Sequence, residues 1–501
     1  MKKNISNKKL TWILVALFMV ISFYPLFAFL GSQTIRIWDE SRVAVSAYEM
    51  TKTKNPLIVT HEYQPDHWSV KPPLAVWIQA ISIKLFGMNE TAVRLPSALA
   101  IMLLGVVIIF LTDVIKKPFL GFYASTIMIC SKAFYFYHTG RTADYDALLC
   151  FFVVSYLLLF FIYTETAEKK YYKLFFLALI LASLTKGVQA LIPLPFIPIY
   201  LLFRKQLIPI LKNKTTYIGI GLFIFFVGGY YIAREFSCRG YLNAVSQFEL
   251  GGRFLKAQEG NGGREYYYFE EFQKGYFTYF LPIVPLAFIF NLFIKDKQAK
   301  RLSIYTIGIS MLIYIILSIA KTKLIWYALP LVPLFSIAIG VSLYVIHNWI
   351  MSLRSYIPDI YALIIVGYIA FFFTPYNEIV QHIYRHKEVP WFEAEYSRLV
   401  LMQRILKKDI ILNDTVNYIH NGNYSQNENL QNSIFYFHAM THYNIPNVRK
   451  NIEDLKIGDI VQINELKTDE EIRKKFEYDV MYFHIQSKIV RLKKLVETQN
   501  L

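Results

Sequence analysis

Two carboxylates and two arginines lie within seven residues, directly after the first long apolar segment: Arg36, Asp39, Glu40 and Arg42. A carboxylate can take or give a proton in a reaction, and the planar guanidinium of arginine binds phosphate oxygens in pairs. The cluster therefore predicts acid–base chemistry on an anionic headgroup at a membrane surface. A solvated helix cap with local ion pairs is the alternative interpretation.

Lys71 precedes two prolines and an apolar stretch, and Arg94 belongs to the motif that follows, residues 87–96. Proline is accepted at the first positions of a helix because no N–H donor is needed there. We therefore expect Lys71 at the positive end of a helix on the membrane, where the dipole and the ammonium both favour an anion. A lysine in a solvated turn is the alternative.

A third group of charges, Arg141, Asp144 and Asp146, lies in a turn between two apolar segments. Asp146 begins the next segment, where an acid is often only a helix cap, but charged groups at membrane depth are costly and commonly functional. Lys186 and Lys323 also lie at the ends of apolar segments. There a lysine often only extends its ammonium toward water.

The elements that must position these residues are membrane spans. Of the 501 residues, 55% are apolar and 18% are charged, whereas soluble domains have about 45–50% and about 25%. The stretch 174–203, interrupted at residues 186–187, is expected to form two short helices or a re-entrant pair. Counted as two, it gives about 11 spans in all. The other segments near the roughly 20 residues that cross a bilayer are 11–31, 95–111, 118–131, 147–163, 216–233, 275–294, 302–320, 324–346 and 356–375.

Basic residues assign the two sides, because short loops rich in Lys and Arg stay in the cytoplasm. With the N-terminus inside, every alternate loop fits, and regions 32–94, 234–274 and 376–501 are expected outside the cytoplasm. The predicted cytoplasmic segments hold 18 Lys/Arg and four acids, so they supply 14 of the +17 net charge. The charge is thus a topology signal and does not favour nucleic-acid binding. The basic residues are Lys2, Lys3, Lys8, Lys9, Lys116, Lys117, Lys169, Lys170, Lys173, Arg204, Lys205, Lys212, Lys214, Lys295, Lys297, Lys300, Arg301 and Arg354.

Two domains are predicted: a transmembrane domain over 1–375 and an extracytoplasmic domain over 376–501. The second is expected to be a small α/β domain, with helical patterns near 391–407 and 468–476 and strand-like patterns at 409–414 and 457–463. The first apolar segment is interpreted as an uncleaved signal anchor. Three cysteines are too few for a disulfide framework.

In this order the motifs resemble the aminoarabinose-transferase-like branch of the protein O-mannosyltransferase superfamily. The shared pattern is Asp-Glu after the first span, Lys-Pro-Pro-Leu at 71–74, Gly-x-Asn-Glu with Arg-Leu-Pro at 87–96, Arg-x-x-x-x-Asp-Ala-Leu-Leu at 141–149, Lys-Gly at 186–187 and Lys-x-x-x-Tyr-x-x-Pro at 323–330. The resemblance covers about residues 30–335. It implies a GT-C fold with an extracytoplasmic active site.

The resemblance also implies roles for individual residues. The catalytic acids matched by position are Asp39, Glu40 and Asp146. Lys71 matches the lysine that binds the donor phosphate, and the further candidates for that phosphate are Arg42, Arg94, Arg141, Lys186 and Lys323. The acceptor side is expected to include Asp144, Arg264 and Tyr267.

Two departures from the family pattern bear on a metal cofactor. Many relatives have an acidic residue before the motif lysine, where this chain has Val70, and often a histidine in the later outer loop, where it has Arg264. The sequence therefore does not establish a cofactor, and a divalent metal is left open as one possibility. His61 and His67 are weak candidate ligands.

The expected activity is an inverting transfer of a sugar from a polyprenyl-phosphate donor to a lipid, such as lipid A, or a protein acceptor at the outer face of the cell membrane. A transporter or flippase of lipid-linked sugars, and an O-antigen ligase or polymerase, are the alternatives. A transporter would place polar residues in mid-span and show repeated halves. A ligase would place its key charges in one large late loop.

Overall fold

The computed structural model describes residues 7–36, 38–135, 138–250, 255–257, 260–354, 360–387, 393–419 and 431–496. Within these ranges, eight helical segments are long and apolar enough to cross a membrane by length and composition. A bundle of long helices with a C-terminal sheet domain confirms the predicted fold class, a polytopic α-helical membrane protein. The segments are Lys8–Phe27, Glu90–Val114, Asp146–Thr166, Lys169–Leu191, Lys214–Ser237, Lys297–Ile319, Ile325–Ser352 and Ile360–Arg385.

The helices of the bundle and its loops are numbered in chain order. The first seven are α1 (Asn7–Phe27), α2 (Asp39–Thr53), α3 (Leu74–Phe86), α4 (Glu90–Val114), α5 (Pro118–Ile129), α6 (Asp146–Thr166) and α7 (Lys169–Lys186). The next ten are α8 (Phe196–Phe203), α9 (Leu207–Leu211), α10 (Lys214–Phe223), α11 (Gly229–Ser237), α12 (Tyr241–Val245), α13 (Tyr267–Glu271), α14 (Ile283–Leu292), α15 (Lys297–Ile319), α16 (Leu331–Ser352) and α17 (Ile360–Arg385).

Local sequence signals set the helix starts that position the site. Helix α3 begins immediately after Pro73, in agreement with the expectation from the two prolines. The side chain of Asn89 accepts a hydrogen bond from the N–H of Ala92 at 2.9 Å and so caps α4. Helix α6 begins at Asp146, as the turn pattern predicted.

Three predicted spans differ from the structure, the first being 118–131, where α5 has only 12 residues. The stretch 174–203 contains one long helix, α7, followed by a 3-10 turn to Leu191, and one eight-residue helix, α8. The chain turns at Gly187, whose φ of +56° suits glycine. Within the span expected over 275–294, helix α14 covers only Ile283 to Leu292. Pro282 sets the start of this helix.

The charged loops assigned to the cytoplasm meet at one end of the bundle. Lys117 pairs with Asp296, and Glu165 binds both Arg204, at 3.2 Å, and Arg301. Segments far apart in the chain therefore end on the same face, as the alternation of basic loops requires. Lys2 and Lys3 lie outside the described residues.

The C-terminal region forms a five-stranded mixed sheet with helices. Helix α17 continues to Arg385, past the predicted domain boundary. The elements that follow it are α18 (Glu393–Leu406), β3 (Val416–Ile419), α19 (Gln431–His442), β4 (Asn447–Lys450), β5 (Ile460–Ile463), α20 (Leu466–Lys475), β6 (Phe476–His484) and β7 (Ser487–Leu495). The strand order is β4-β3-β5-β7-β6, with β3 parallel to β4 and β5. The strand expected at 409–414 is wrong, since β3 begins at Val416. A short hairpin in the first outer loop supplies β1 (Thr60–His61) and β2 (Gln64–Pro65).

This domain is packed against the loop that carries Asp39. Buried apolar side chains of α2 and α3, such as Val43 and Val76, form one cluster with Leu399 of α18 and Phe435 of α19. Burial of this shared apolar surface holds the two parts together. The sheet domain and the 32–94 region consequently lie at the same end of the helical bundle.

Candidate active site

Three titratable side chains from two segments meet at the start of α2. His138 Nδ1 contacts Oδ2 of Asp144 and lies 3.6 Å from Oδ2 of Asp39. The ring of His138 stacks on Trp326 with centroids 3.8 Å apart. Asp144 is buried, whereas the side chain of Asp39 keeps 36% of its exposure. Asp39 is thus the member of this cluster, the Asp39 cluster, that a substrate can reach.

The charges of the Asp39 cluster stabilise one another. Burial would raise the pKa of the Asp144 carboxyl, but the charge and hydrogen bond of His138 hold that pKa well below its usual range. Burial would lower the pKa of His138, but the charges of Asp144 and Asp39 raise it. The ring of His138 therefore lies between two acidic side chains. Sequence analysis missed His138, although it lies in the same turn as Asp144.

Glu40 is enclosed in a buried ion pair. Its Oε1 receives Nε of Arg94 at 2.7 Å and the amide of Ala143 at 3.0 Å, and its Oε2 receives the amide of Arg36 at 2.8 Å. The remaining donors of Arg94 bind Oε2 of Glu40 and the carbonyl oxygens of Leu30, Gln33 and Thr34. The pair ties the start of α2 to α4 and to the turn before α6.

Two other predicted phosphate ligands bind helix ends instead. Arg141 donates to the carbonyl oxygens of Pro25, at 2.9 Å, and Ala28, at 2.8 Å, at the end of α1. Nζ of Lys323 donates to the carbonyl oxygens of Leu317, at 3.0 Å, and Ser318, at 2.5 Å, at the end of α15. A cation satisfies the carbonyls that a helix leaves without partners and complements its dipole.

Asp146 and Lys186 form a second buried ion pair. Nζ of Lys186 lies 2.6 Å and 2.7 Å from the two carboxylate oxygens of Asp146. Their side chains are 4% and 1% exposed, and the ammonium also lies 5.0 Å from the centre of the Tyr327 ring. The pair joins the N-terminus of α6 to the end of α7.

Lys71 lies beside the Asp39 cluster. Its Nζ is 4.8 Å from the centre of the Tyr145 ring, and its charge contributes to the lowered pKa of Asp144. Lys71 is half-buried and precedes α3. The neighbouring Val70 is buried, and its carbonyl accepts a hydrogen bond from Tyr241 at 2.8 Å.

The segment before Lys71 is held by two arginines. Arg42 binds both carboxylate oxygens of Asp66, at 2.9 Å and 2.6 Å. Arg234, fully buried at the end of α11, donates to the carbonyl oxygens of Asp66 and Ser69 at 3.3 Å and 3.0 Å. Sequence analysis missed Arg234, although a basic residue at an outer span end departs from the charge rule.

The remaining candidates make contacts away from the Asp39 cluster. Arg264 is exposed and donates to the hydroxyl of Tyr266 at 2.6 Å, and Tyr267 packs against the bundle core. His67 is exposed, with Nε2 3.6 Å from Sγ of Cys238. Burial lowers the pKa of His61, whose Nε2 is buried and makes no hydrogen bond to the described residues.

The described residues that can hold a metal are those of the Asp39 cluster. Asp39, His138 and Asp144 each offer one ligand atom, and these atoms lie within 4.8 Å of one another. Two carboxylates and an imidazole suit Mn²⁺ or Zn²⁺. The donor set therefore fits a divalent cation, and it differs from the His61 and His67 ligands expected from the sequence.

The fold and the order of the charged motifs resemble those of GT-C proteins of the ArnT and protein O-mannosyltransferase type. A family model described as dolichyl-phosphate-mannose-protein mannosyltransferase matches residues 70–231. The resemblance inferred from the motifs is thereby confirmed.

Individual relatives agree with this class. The chain is 29% identical over 340 residues to an uncharacterized protein of Aquifex aeolicus, covering 66% of this chain and 63% of that one. It is 25% identical over 342 residues to undecaprenyl phosphate-alpha-4-amino-4-deoxy-L-arabinose arabinosyl transferase 1 of Proteus mirabilis, covering 66% and 58%. The chain thus spans about three fifths of the length of these curated relatives.

Solved structures share the fold across nearly the whole chain. ArnT from Cupriavidus metallidurans, solved with undecaprenyl phosphate, superposes with a TM-score of 0.65 at 14% identity and covers 96% of this chain and 97% of its own. The oligosaccharyltransferase of Archaeoglobus fulgidus superposes with a TM-score of 0.56 at 11% identity, covering 91% and 66%. These likenesses show the fold.

Proposed function

We propose that the protein is an inverting glycosyltransferase that moves a sugar from a polyprenyl-phosphate donor to a lipid or protein acceptor. The observation that carries the proposal is the exposed carboxylate of Asp39, which lies among buried charged pairs next to Lys71. The names of its relatives support a polyprenyl-phosphate donor, since one is called an undecaprenyl phosphate arabinosyl transferase and another was solved with undecaprenyl phosphate.

The reaction is a single displacement at the anomeric carbon. The acceptor oxygen forms the new bond to that carbon, while the bond to the phosphate oxygen breaks and polyprenyl phosphate leaves with the electron pair. Asp39 takes the acceptor proton when the acceptor is a hydroxyl. When the acceptor is a phosphate, no proton must be removed, and Asp39 orients the two substrates. Lys71 stabilises the charge that develops on the leaving phosphate.

The buried pairs have positioning roles in this proposal. Glu40 and Arg94 have their hydrogen bonds filled by protein groups, so they fix the start of α2 rather than contact the substrate. The same holds for Lys186, whose ammonium is engaged by Asp146. His138 and Asp144 hold the side chain of Asp39 in place at the start of α2. Fixed charges of this kind cost no reorganisation during the reaction.

Asp39, His138 and Asp144 would hold a divalent cation if the enzyme uses one. Such an ion would supply positive charge near the donor phosphate. In that case Asp39 would serve as a ligand as well as orienting the acceptor, and Lys71 would keep its role at the leaving group.

The proposed topology has the N-terminus in the cytoplasm, with Asp39 and the sheet domain outside it. The basic loops that meet at Glu165 support this orientation, since such loops stay inside. The protein would act in the cell membrane on a donor that faces outward.

Deletion of the gene in the organism that carries it tests the proposal. Mass spectrometry of the lipids and glycoproteins should show the loss of one sugar-modified species. Wild-type protein and the exposed-lysine variant Lys84→Gln should restore this species, whereas Lys71→Ala should not. Unchanged lipid and protein sugars after deletion would contradict the proposal.

A further inference from the structure

A second basic region lies on the outer face, formed by the end of α1, the segment before α2 and the end of α17. It is a cavity, the basic pocket, lined by twelve described residues. Six of them are arginine, lysine or histidine, and the other six are apolar or uncharged polar. The basic members are Arg36, Arg94, Arg141, His382, His386 and Lys387. The charge of Arg94 is already neutralised by Glu40, and Arg141 already donates to the carbonyl oxygens of Pro25 and Ala28.

The positive charges of the basic pocket come from separate segments that the fold brings together. Arg36 precedes α2, Arg141 lies in the turn before α6, and Lys387 follows α17. Like charges that converge in this way repel one another. The convergence is stabilised when an anion with several oxygens enters between them, and guanidinium groups match phosphate geometry.

The side chains of the basic pocket are held in place. Gln33 donates to the carbonyl of His386, and the rings of His382 and His386 have centroids 4.3 Å apart. Nζ of Lys387 lies 4.4 Å from the centre of the Tyr384 ring. These contacts fix the end of α17 against the segment before α2. The side chains of the pocket therefore have little conformational freedom left to lose when an anion binds.

The size of the basic pocket suits a phosphate group. The volume of the cavity is about 40 Å³. This is about three times the volume that one water molecule needs. That space is large enough for a tetrahedral anion. The neutral lining residues Phe29 and Leu30 provide apolar surface beside it.

The basic pocket is adjacent to Asp39 but separate from Lys71. The amide of Arg36 donates to Glu40, the residue after Asp39. Arg94 joins the wall of the pocket to the same Glu40 carboxylate. Lys71 instead faces Tyr145 and acts on Asp144. The protein therefore presents one cationic region at Lys71 and another at the basic pocket, with the start of α2 between them.

We propose that the basic pocket binds a phosphate monoester carried by a lipid substrate, at a site distinct from Lys71. Two lipids supply this chemistry, the polyprenyl phosphate and a phosphorylated acceptor lipid. The inference rests on the proposed function only in naming these two lipids as the source of the phosphate. Phosphate binding itself is measured without any sugar transfer.

Native mass spectrometry of the purified protein in detergent tests the proposal with two probes titrated separately. One is undecaprenyl phosphate, and the other is a monophosphorylated, acylated glucosamine disaccharide. The variant Arg36→Gln/Lys387→Gln removes two charges from the pocket. The control Lys54→Gln/Lys84→Gln removes two charges from exposed lysines of the first outer loop. Thermal unfolding midpoints are measured to check that both variants fold.

The pocket variant should bind one probe about tenfold more weakly for each lost phosphate contact, while the control binds as wild type does. Weaker binding of the disaccharide alone assigns the pocket to the acceptor, and weaker binding of undecaprenyl phosphate alone assigns it to the donor lipid. Equal affinities of the pocket and control variants for both probes would overturn the proposal. That result would leave the proposed transfer, measured separately, unaffected.

Discussion

The charged side chains of the site differ in how much of each side chain is exposed to solvent. Asp39 keeps 36% of its side-chain exposure, while Glu40, next to it, keeps 3% and has its oxygens filled by Arg94 and backbone amides. Neighbouring acids in one motif thus lie in different environments, one open to solvent and one buried, where it fixes the start of α2. The motif alone does not distinguish them, because the partners of Glu40 come from α4 and from the turn before α6.

The Asp146–Lys186 pair supports a prediction about stability. Lys186→Met leaves the Asp146 carboxylate buried without its partner, which should destabilise the protein by about 3–5 kcal/mol. The double variant Asp146→Asn/Lys186→Met removes both charges and should regain most of that stability. Thermal unfolding in detergent measures both. A double variant as unstable as Lys186→Met would contradict the positioning role.

Helix α2 connects the site to the sheet domain. Glu49, fully buried on α2, accepts hydrogen bonds from the hydroxyl of Thr60 at 2.7 Å and the amide of Tyr63 at 3.0 Å, and lies 3.0 Å from Nε2 of His438 on α19. Burial would raise the pKa of Glu49, but the bonds from His438 and Thr60 lower it below 4.5. The ionised carboxylate therefore stabilises the contact between α2 and the sheet domain.

This contact predicts a pH dependence. Because the folded pKa of Glu49 is depressed, its contribution is present above pH 4.5, the ordinary value, and is lost as the pH falls through the folded pKa. Glu49→Gln should cost about 1.5–3 kcal/mol near neutral pH, and the difference from wild type should shrink in acid. Unfolding midpoints measured across acidic and neutral pH check this. A difference that stays constant with pH would contradict it.

Short-range sequence signals predicted the elements near the site. The prolines before α3 and the acid at the start of α6 act within one turn of the helix that they begin. The strand at 409–414 was wrong, and the β6–β7 hairpin was missed, because exposed charged residues interrupt its apolar pattern. The domain boundary at 375 falls within α17, whose apolar pattern fades before the helix ends.

At the scale of the whole molecule, the alternation of the spans inferred from the basic residues stays a prediction. The meeting of His138 with Asp39 and of Arg36 with Lys387 depends on the packing of distant helices, which no local pattern encodes. Sequence analysis therefore found most charged residues of the outer face and missed His138, Arg234 and the basic pocket. The fold brings these residues together through the shared core of α2, α3 and the sheet domain.

The central claim is that Asp39 and Lys71 act on a polyprenyl-phosphate sugar. The direct measurement is the rate of sugar transfer by purified protein in liposomes that contain donor and acceptor. Asp39→Asn and Lys71→Ala should each slow transfer by about 10²–10⁴-fold, while Glu62→Gln, at an exposed acid of the same loop, should retain the wild-type rate. Wild-type rates in both Asp39→Asn and Lys71→Ala would contradict the account.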